Sequence, residues 1–291
     1  MTNHIAASEL IINPRGSIYH LDVHPDELAT DIITVGDPDR VGQVSQHFDQ
    51  IEFVRQHREF VTHTGYIGKK RLSVVSTGIG TDNIDIVLNE LDALVNIDFE
   101  TRTLKPQLTK LNMVRIGTSG SLQKDIPVDS FLVSTHGLGI DNLLNFYENT
   151  PTQAELDMLE AFAAQTKLSS NAAAPYISAC GQVLLPLFDK GFYKGITVTC
   201  PGFYGPQGRV LRLGLSNPGF IDSLTHFSFE GNIISNFEME TAGLYGLGKL
   251  MGHQVLSLNA IMANRVTGEF SKDGKTTMDK LINKTLEILT S

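Results

Sequence analysis

The stretch DIITVGDPDR, Asp31 to Arg40, sets how the rest of the chain is read. Asp31–Gly36 is a short apolar run of the kind seen in a buried strand. Asp37 and Pro38 then form a helix start. An Asp at the N-cap accepts backbone N–H groups that no earlier carbonyl can reach, and Pro at the next position has no N–H to leave over. A strand running through a glycine into a helix is a unit of α/β architecture.

The pattern continues outward. Phe60–Ile67 and Arg71–Thr77 read as strands joined in a hairpin at Gly68-Lys69-Lys70. Asp82–Val95 carries Ile84, Ile86, Val87, Leu88, Leu91, Leu94 and Val95, a spacing that fits an amphipathic helix. Asn112–Gly117, Ser130–Thr135, Gly195–Cys200 and Gln254–Ala263 read as strands. Pro151–Thr166 is helical in composition, Thr241–Met251 is a helix ended by Gly252, and Thr276–Leu289 is an amphipathic C-terminal helix. The expected fold is α/β, a mixed central β-sheet flanked by helices, taken as one domain over residues 1–291. The least regular region is 138–195, which reads as an insertion or a long loop.

The 291 residues carry 41% hydrophobic side chains and a formal net charge of −9. That composition supports a sizeable core, and that charge argues against general binding to nucleic acid or anionic membrane. No apolar run is long enough to span a bilayer, no signal peptide is expected, and two cysteines do not make a disulfide framework. A cytoplasmic protein is the expectation.

Several familiar motifs fail. Gly78-Ile79-Gly80 lies between a strand and a helix like a dinucleotide-binding turn, but the third glycine position is Asn83. Gly274-Lys275-Thr276 lacks the first glycine of a P-loop. The histidines and cysteines have no metal-ligand spacing, so neither metal nor cofactor is expected.

Four short segments carry chemistry instead. Gly36–Arg40 offers free helix N–H groups with Arg40 on the first turn, and Arg115–Gly120 (RIGTSG) sets Arg115 and Gly117 on one strand face before hydroxyl and glycine donors. Together they suit a phosphate. Glu238 and Glu240, two apart, suit the vicinal hydroxyls of a ribose as paired acceptors on one side of a strand. Phe203-Tyr204-Gly205-Pro206-Gln207-Gly208-Arg209 offers a ring, a mixed donor and acceptor, and a pure donor, which matches the edge of uracil. Each segment alone reads more readily as an ordinary strand-end turn, a solvated strand edge or a polar surface loop.

Taken together, the segments resemble the nucleoside phosphorylase family, and specifically its uridine phosphorylase branch. The likeness rests on GDPDR (36–40), HREF (57–60), STGIG (76–80), RIGTSG (115–120), NFEMETAGLY (236–245) and ANR (263–265), in that order. The resemblance implies phosphate held by Gly36, Arg40, Arg115 and Thr118, with Arg58 reaching the phosphate of a neighbouring subunit. It implies ribose contacts from His20, across the same interface, and from Met239 and Glu240. It implies a uracil-reading loop of Phe203, Gln207 and Arg209 supported by Arg265, with Arg115, Arg209 and Glu240 catalytic. Purine-specific relatives carry a Ser-Asp pair where this chain has Asn264-Arg265, whereas Thr241–Tyr245 is shared with purine members. Thr81-Asp82-Asn83 departs from the Gly-Pro-Ser of bacterial uridine enzymes, which leaves open a cation site involving Glu59.

The implied reaction is phosphorolysis of uridine to uracil and ribose 1-phosphate, with inorganic phosphate as co-substrate. The implied assembly is a homo-oligomer, at least a dimer and in relatives commonly a trimer of dimers. A purine nucleoside phosphorylase, a nucleosidase using water, a non-catalytic nucleoside binder and a resemblance of fold alone stay open as alternatives.

Overall fold

A computed structural model describes residues 4–169 and 171–291. Strand β1 (Asp31–Val35) lies between two parallel neighbours and is buried at four of its five positions, which accounts for its unbroken apolar run. It leads into α1 (Pro38–Ser45), whose N-cap Asp37 accepts from the Asp39 N–H with Pro38 behind it. Strands β2 (Gln50–His57), β3 (Phe60–Ile67) and β4 (Lys70–Ser76) form an antiparallel meander at one sheet edge. The hairpin turn between β3 and β4 uses Gly68 in the left-handed region, as the sequence predicts.

Helix α2 (Thr81–Asn96) buries Ile84, Val87, Leu88, Leu91 and Leu94 of the expected apolar set, and leaves Ile86 and Val95 half-buried. A small hairpin, β5 (Ile97–Asp98) and β6 (Thr103–Leu104), precedes β7 (Asn112–Ser121) and β8 (Phe131–Gly139). Then follow α3 (Gln153–Gln165), β9 (Tyr176–Ala179), β10 (Tyr193–Thr199), α4 (Phe220–Thr225), β11 (Ser228–Phe229) and β12 (Asn232–Glu238). The chain closes with α5 (Thr241–Met251), β13 (Gln254–Asn264), β14 (Glu269–Phe270) and α6 (Gly274–Thr290). Gly252 caps α5 in the left-handed conformation.

The mixed sheet runs β11-β12-β10-β8-β13-β7-β1-β4-β3-β2, with a further pairing of β12 to β7. That pairing closes β7, β13, β8, β10 and β12 into a ring. β12 and β7 meet antiparallel, Asn236 opposite Ser121 and Phe237 opposite Gly120, so the two strands touch near their C-terminal ends.

Three readings of the sequence change. β2 gave no strand signal, because an edge strand exposed on alternate positions carries Glu52, Arg55 and Gln56 among its apolar residues. β7 continues through Thr118–Ser121 rather than opening into a loop at Gly117, since β13 and β12 pair with it on both sides. The irregular region 138–195 is structured around α3, which starts from a Thr152/Glu155 capping box, and β9, which extends the main sheet beside β8.

Candidate active site

Arg115 leaves β7 into the strand ring and is buried. Its guanidinium folds back over Gly117: a Cβ there would stand 1.7 Å from Nη1. Nη2 is paired with Glu240 and lies 3.5 Å from Glu238, and Nη1 donates to Asn259 Oδ1 at 3.4 Å. Glu240 also accepts from the Gly80 N–H at 2.8 Å, so the Gly78–Gly80 turn anchors it.

The pair of carboxylates differs from the sequence expectation. β12 ends at Glu238, and Glu240 is the N-cap residue of α5, so the two are not alternate residues of one strand. Both are buried rather than set on a solvated edge. Glu238 accepts from Thr199 Oγ1 at 2.8 Å and from the N–H groups of Glu240 and Thr241 at 2.9 to 3.1 Å. It is committed to holding the start of α5. Burial pushes its carboxyl upward from the ordinary range, the Arg115 guanidinium opposes this, and the charge of Glu240 reinforces it.

Arg40 reaches the same place from α1 and donates to Ile116 O at 3.4 Å. Burial lowers its pKa, and the neighbouring Arg115 charge lowers it further. Two cations held this close in a partly dry site favour an anion between them. The Nε groups of both arginines are buried without a hydrogen-bond partner among the described residues.

The loop after β10 carries a short helical turn, Gly205–Gln207. Gln207 is buried, and its Oε1 accepts from Arg209, which also donates to Phe203 O at 2.7 Å. The Arg209 guanidinium stacks 3.7 Å from the centre of the Phe203 ring and 5.6 Å from that of Phe237. Arg265 donates to Gly208 O at 3.3 Å and so braces the loop from β13. Burial and then the Arg265 charge lower the pKa of Arg209.

Arg40, Arg115, both carboxylates and the Gln207/Arg209 loop face one cavity of about 810 Å3, which Arg265 braces without lining. Gly36, Arg40, Arg115, Thr118, Phe203, Gln207, Arg209, Met239 and Glu240 line it together. His20 and Arg58 do not. His20 is held by Glu90, Nδ1 to carboxylate at 2.6 Å, and Arg58 stands exposed at the β2–β3 turn over the Tyr19 ring. Phe237, Met262 and Phe270 also line the cavity. No role for them is legible in the sequence. Phe237 lies inside the NFEMETAGLY string, but nothing local marks Met262 or Phe270, which arrive through the pairing of β14 with β13.

Among the described residues no three His, Cys, Asp or Glu side chains converge on a metal position, and no helix is long and apolar enough to cross a membrane.

The sequence pattern of the phosphorylase superfamily matches residues 30–291. The chain belongs to that superfamily. Among its relatives, a uridine phosphorylase of Thermococcus kodakarensis is 28% identical, across 99% of this chain and 92% of the relative. A DeoD-type purine nucleoside phosphorylase of Clostridium novyi is 26% identical, across 92% of this chain and 98% of the relative. The crystal structure of a Trypanosoma brucei nucleoside phosphorylase, described as showing uridine phosphorylase activity, superposes with a TM-score of 0.89 at 28% identity. That superposition covers 97% of this chain and 99% of the other. The mixed α/β fold is the fold of these phosphorylases.

Proposed function

We propose that the protein cleaves uridine with inorganic phosphate, giving uracil and ribose 1-phosphate. One observation carries this reading: the Arg40/Arg115 pair and the Gln207/Arg209 loop face the same cavity, with Met239 and Glu240 lining it as well. The uridine phosphorylase of Thermococcus kodakarensis and the Trypanosoma brucei enzyme support it.

In this reading Arg40, Arg115, Thr118 and the Gly36 backbone hold phosphate. Glu240, fixed by Arg115 and Gly80, accepts a ribose hydroxyl beside Met239. Bond breaking runs ahead of attack, so positive charge grows on the ribose and phosphate both stabilises it and adds to the anomeric carbon. The electron pair of the broken bond leaves with uracil, whose N1 takes up the proton that the phosphate gives up on forming its ester. Arg209 and Gln207 carry donors already aimed at that departing charge, the preorganised electrostatics that dominate such sites. No carboxylate acid and base pair is needed, because phosphate is the nucleophile, and no cofactor enters the reaction.

His20 and Arg58 complete the site of a neighbouring subunit in this proposal, which makes the working form a homo-oligomer of at least two chains and, as in many relatives, a trimer of dimers. The chain acts as one phosphorylase domain over 1–291, in the cytoplasm. The decisive assay is uracil release from uridine with and without phosphate, alongside inosine. Phosphate-dependent uracil release is expected. Release without phosphate means a nucleosidase, cleavage of inosine alone means a purine enzyme, and binding without turnover means a nucleoside binder.

A further inference from the structure

The side chains that meet inside the strand ring are polar, which is unusual for buried positions. Asn236 on β12 is fully buried there. Its Oδ1 receives Thr197 Oγ1 at 2.7 Å and Ser235 Oγ at 2.9 Å, and its Nδ2 donates to Ser119 Oγ at 2.9 Å. Thr197 in turn meets Ser134 Oγ at 2.5 Å. Ser119 belongs to both environments, since it lines the large cavity as well.

A serine hydroxyl has one proton to give and lone pairs to accept with. The Asn236 amide occupies an acceptor position of Ser119, and among the described residues no protein acceptor takes the Ser119 proton. That proton is therefore free for a ligand in the cavity. Ser119 precedes Gly120, whose missing side chain leaves room for the Phe237 ring, 3.4 Å from where a Cβ would stand. Phe237 is the ring beneath Arg209 and Arg265. Ser119, Gly120 and Phe237 line one cavity together with Gln207 and Arg209, so the free proton is offered to the space that the uracil-reading loop also lines.

We infer that Asn236 is a positioning residue: from inside the strand ring it turns the Ser119 hydroxyl into a donor for a carbonyl oxygen of the pyrimidine. This rests on the phosphorolysis reading above and deepens it. Asn236→Asp has the same shape but no N–H, so the Ser119 proton must turn away from the cavity to meet it. Asn236→Ser shortens the reach and avoids burying a new charge, in case the Asp variant fails to fold.

The test is a double-mutant cycle with Ser119→Ala, read as KM for uridine, KM for phosphate and melting temperature. One neutral hydrogen bond predicts a rise of about 5–10-fold in KM for uridine in each single variant, with the phosphate KM unchanged. The double variant is expected to be no worse than the poorer single, because both remove the same donor. Fully multiplicative losses, an equal rise in the phosphate KM, or a fall in melting temperature with uridine KM unchanged overturns the inference. Calorimetric binding of uracil to the same variants reads the contact without turnover. If the wild type binds uracil but does not cleave uridine, the phosphorolysis reading fails alone. If it cleaves uridine and Ser119→Ala costs nothing, the inference fails alone.

Discussion

The Arg115 guanidinium occupies the space that a side chain at Gly117 would fill, with Nη1 1.7 Å from the Cβ position. An arginine two residues before a glycine on one strand face can fold over it only because the glycine has no Cβ. This closeness seats the guanidinium between Glu240, Glu238 and Asn259.

Gly117→Ala is therefore expected to displace Arg115 and cost about 100-fold or more in kcat/KM, the usual scale for an ångström of misplacement in a catalytic group. Steady-state kinetics beside circular dichroism checks this. Turnover near that of the wild type in a folded variant would show that the Arg115 pose is not needed.

Arg209→Ala is expected to remove about 3 kcal/mol of transition-state stabilisation, or about 100-fold in kcat, while phosphate binding changes little. The guanidinium contacts the Phe203 ring, the Phe203 carbonyl and Gln207, and none of the Arg40/Arg115 group. Equal losses in uridine turnover and phosphate affinity would argue against its role at the base.

Arg58 lies outside its own chain's cavity, which gives a subunit-mixing experiment. Arg58→Ala and Arg209→Ala preparations, each weakly active alone, are unfolded, mixed equally and refolded. If Arg58 serves the neighbour, half of the dimers pair the two variants and hold one intact site each, so about a quarter of wild-type activity returns. No recovery, with mixed dimers demonstrated by tags, would place Arg58 outside the shared site.

Glu27 ties the N-terminal segment to β2. It accepts from Arg15 at 2.9 and 3.1 Å, from Arg55 Nε at 3.1 Å and from the His24 N–H at 2.8 Å. Burial raises its pKa, but the hydrogen bonds from Arg15 and Arg55 outweigh that and bring it down to about 2. A carboxyl depressed on folding stabilises fully above its unfolded pKa, and that contribution is lost as pH falls through the folded value. Wild type and Glu27→Gln should then differ by about 2 kcal/mol in urea unfolding at pH 7, after discounting the half-exposed Arg15, and converge as pH falls from about 4.5 toward 2. A gap that persists unchanged at pH 2.5 would assign the stabilisation to packing.

Much was written locally. The buried run Asp31–Val35, the Asp37-Pro38 helix start, the face of α2 and the Gly252 cap follow from residue types at short spacing, because burial period and cap chemistry are properties of neighbours in sequence. The motifs at 36–40, 115–120, 203–209 and 236–240 marked most of the cavity wall for the same reason: each is a strand end or turn that its own sequence specifies.

Tertiary structure decided the rest. That β12 closes on β7, that Glu238 and Glu240 turn onto Arg115, and that Asn236 reaches Ser119 depend on strands more than a hundred residues apart. Met262 and Phe270 enter the cavity only through the course of β13 and its pairing with β14. Sequence spacing gives the period of a strand but not its neighbours, so it shows which residues share a face and leaves open what that face meets.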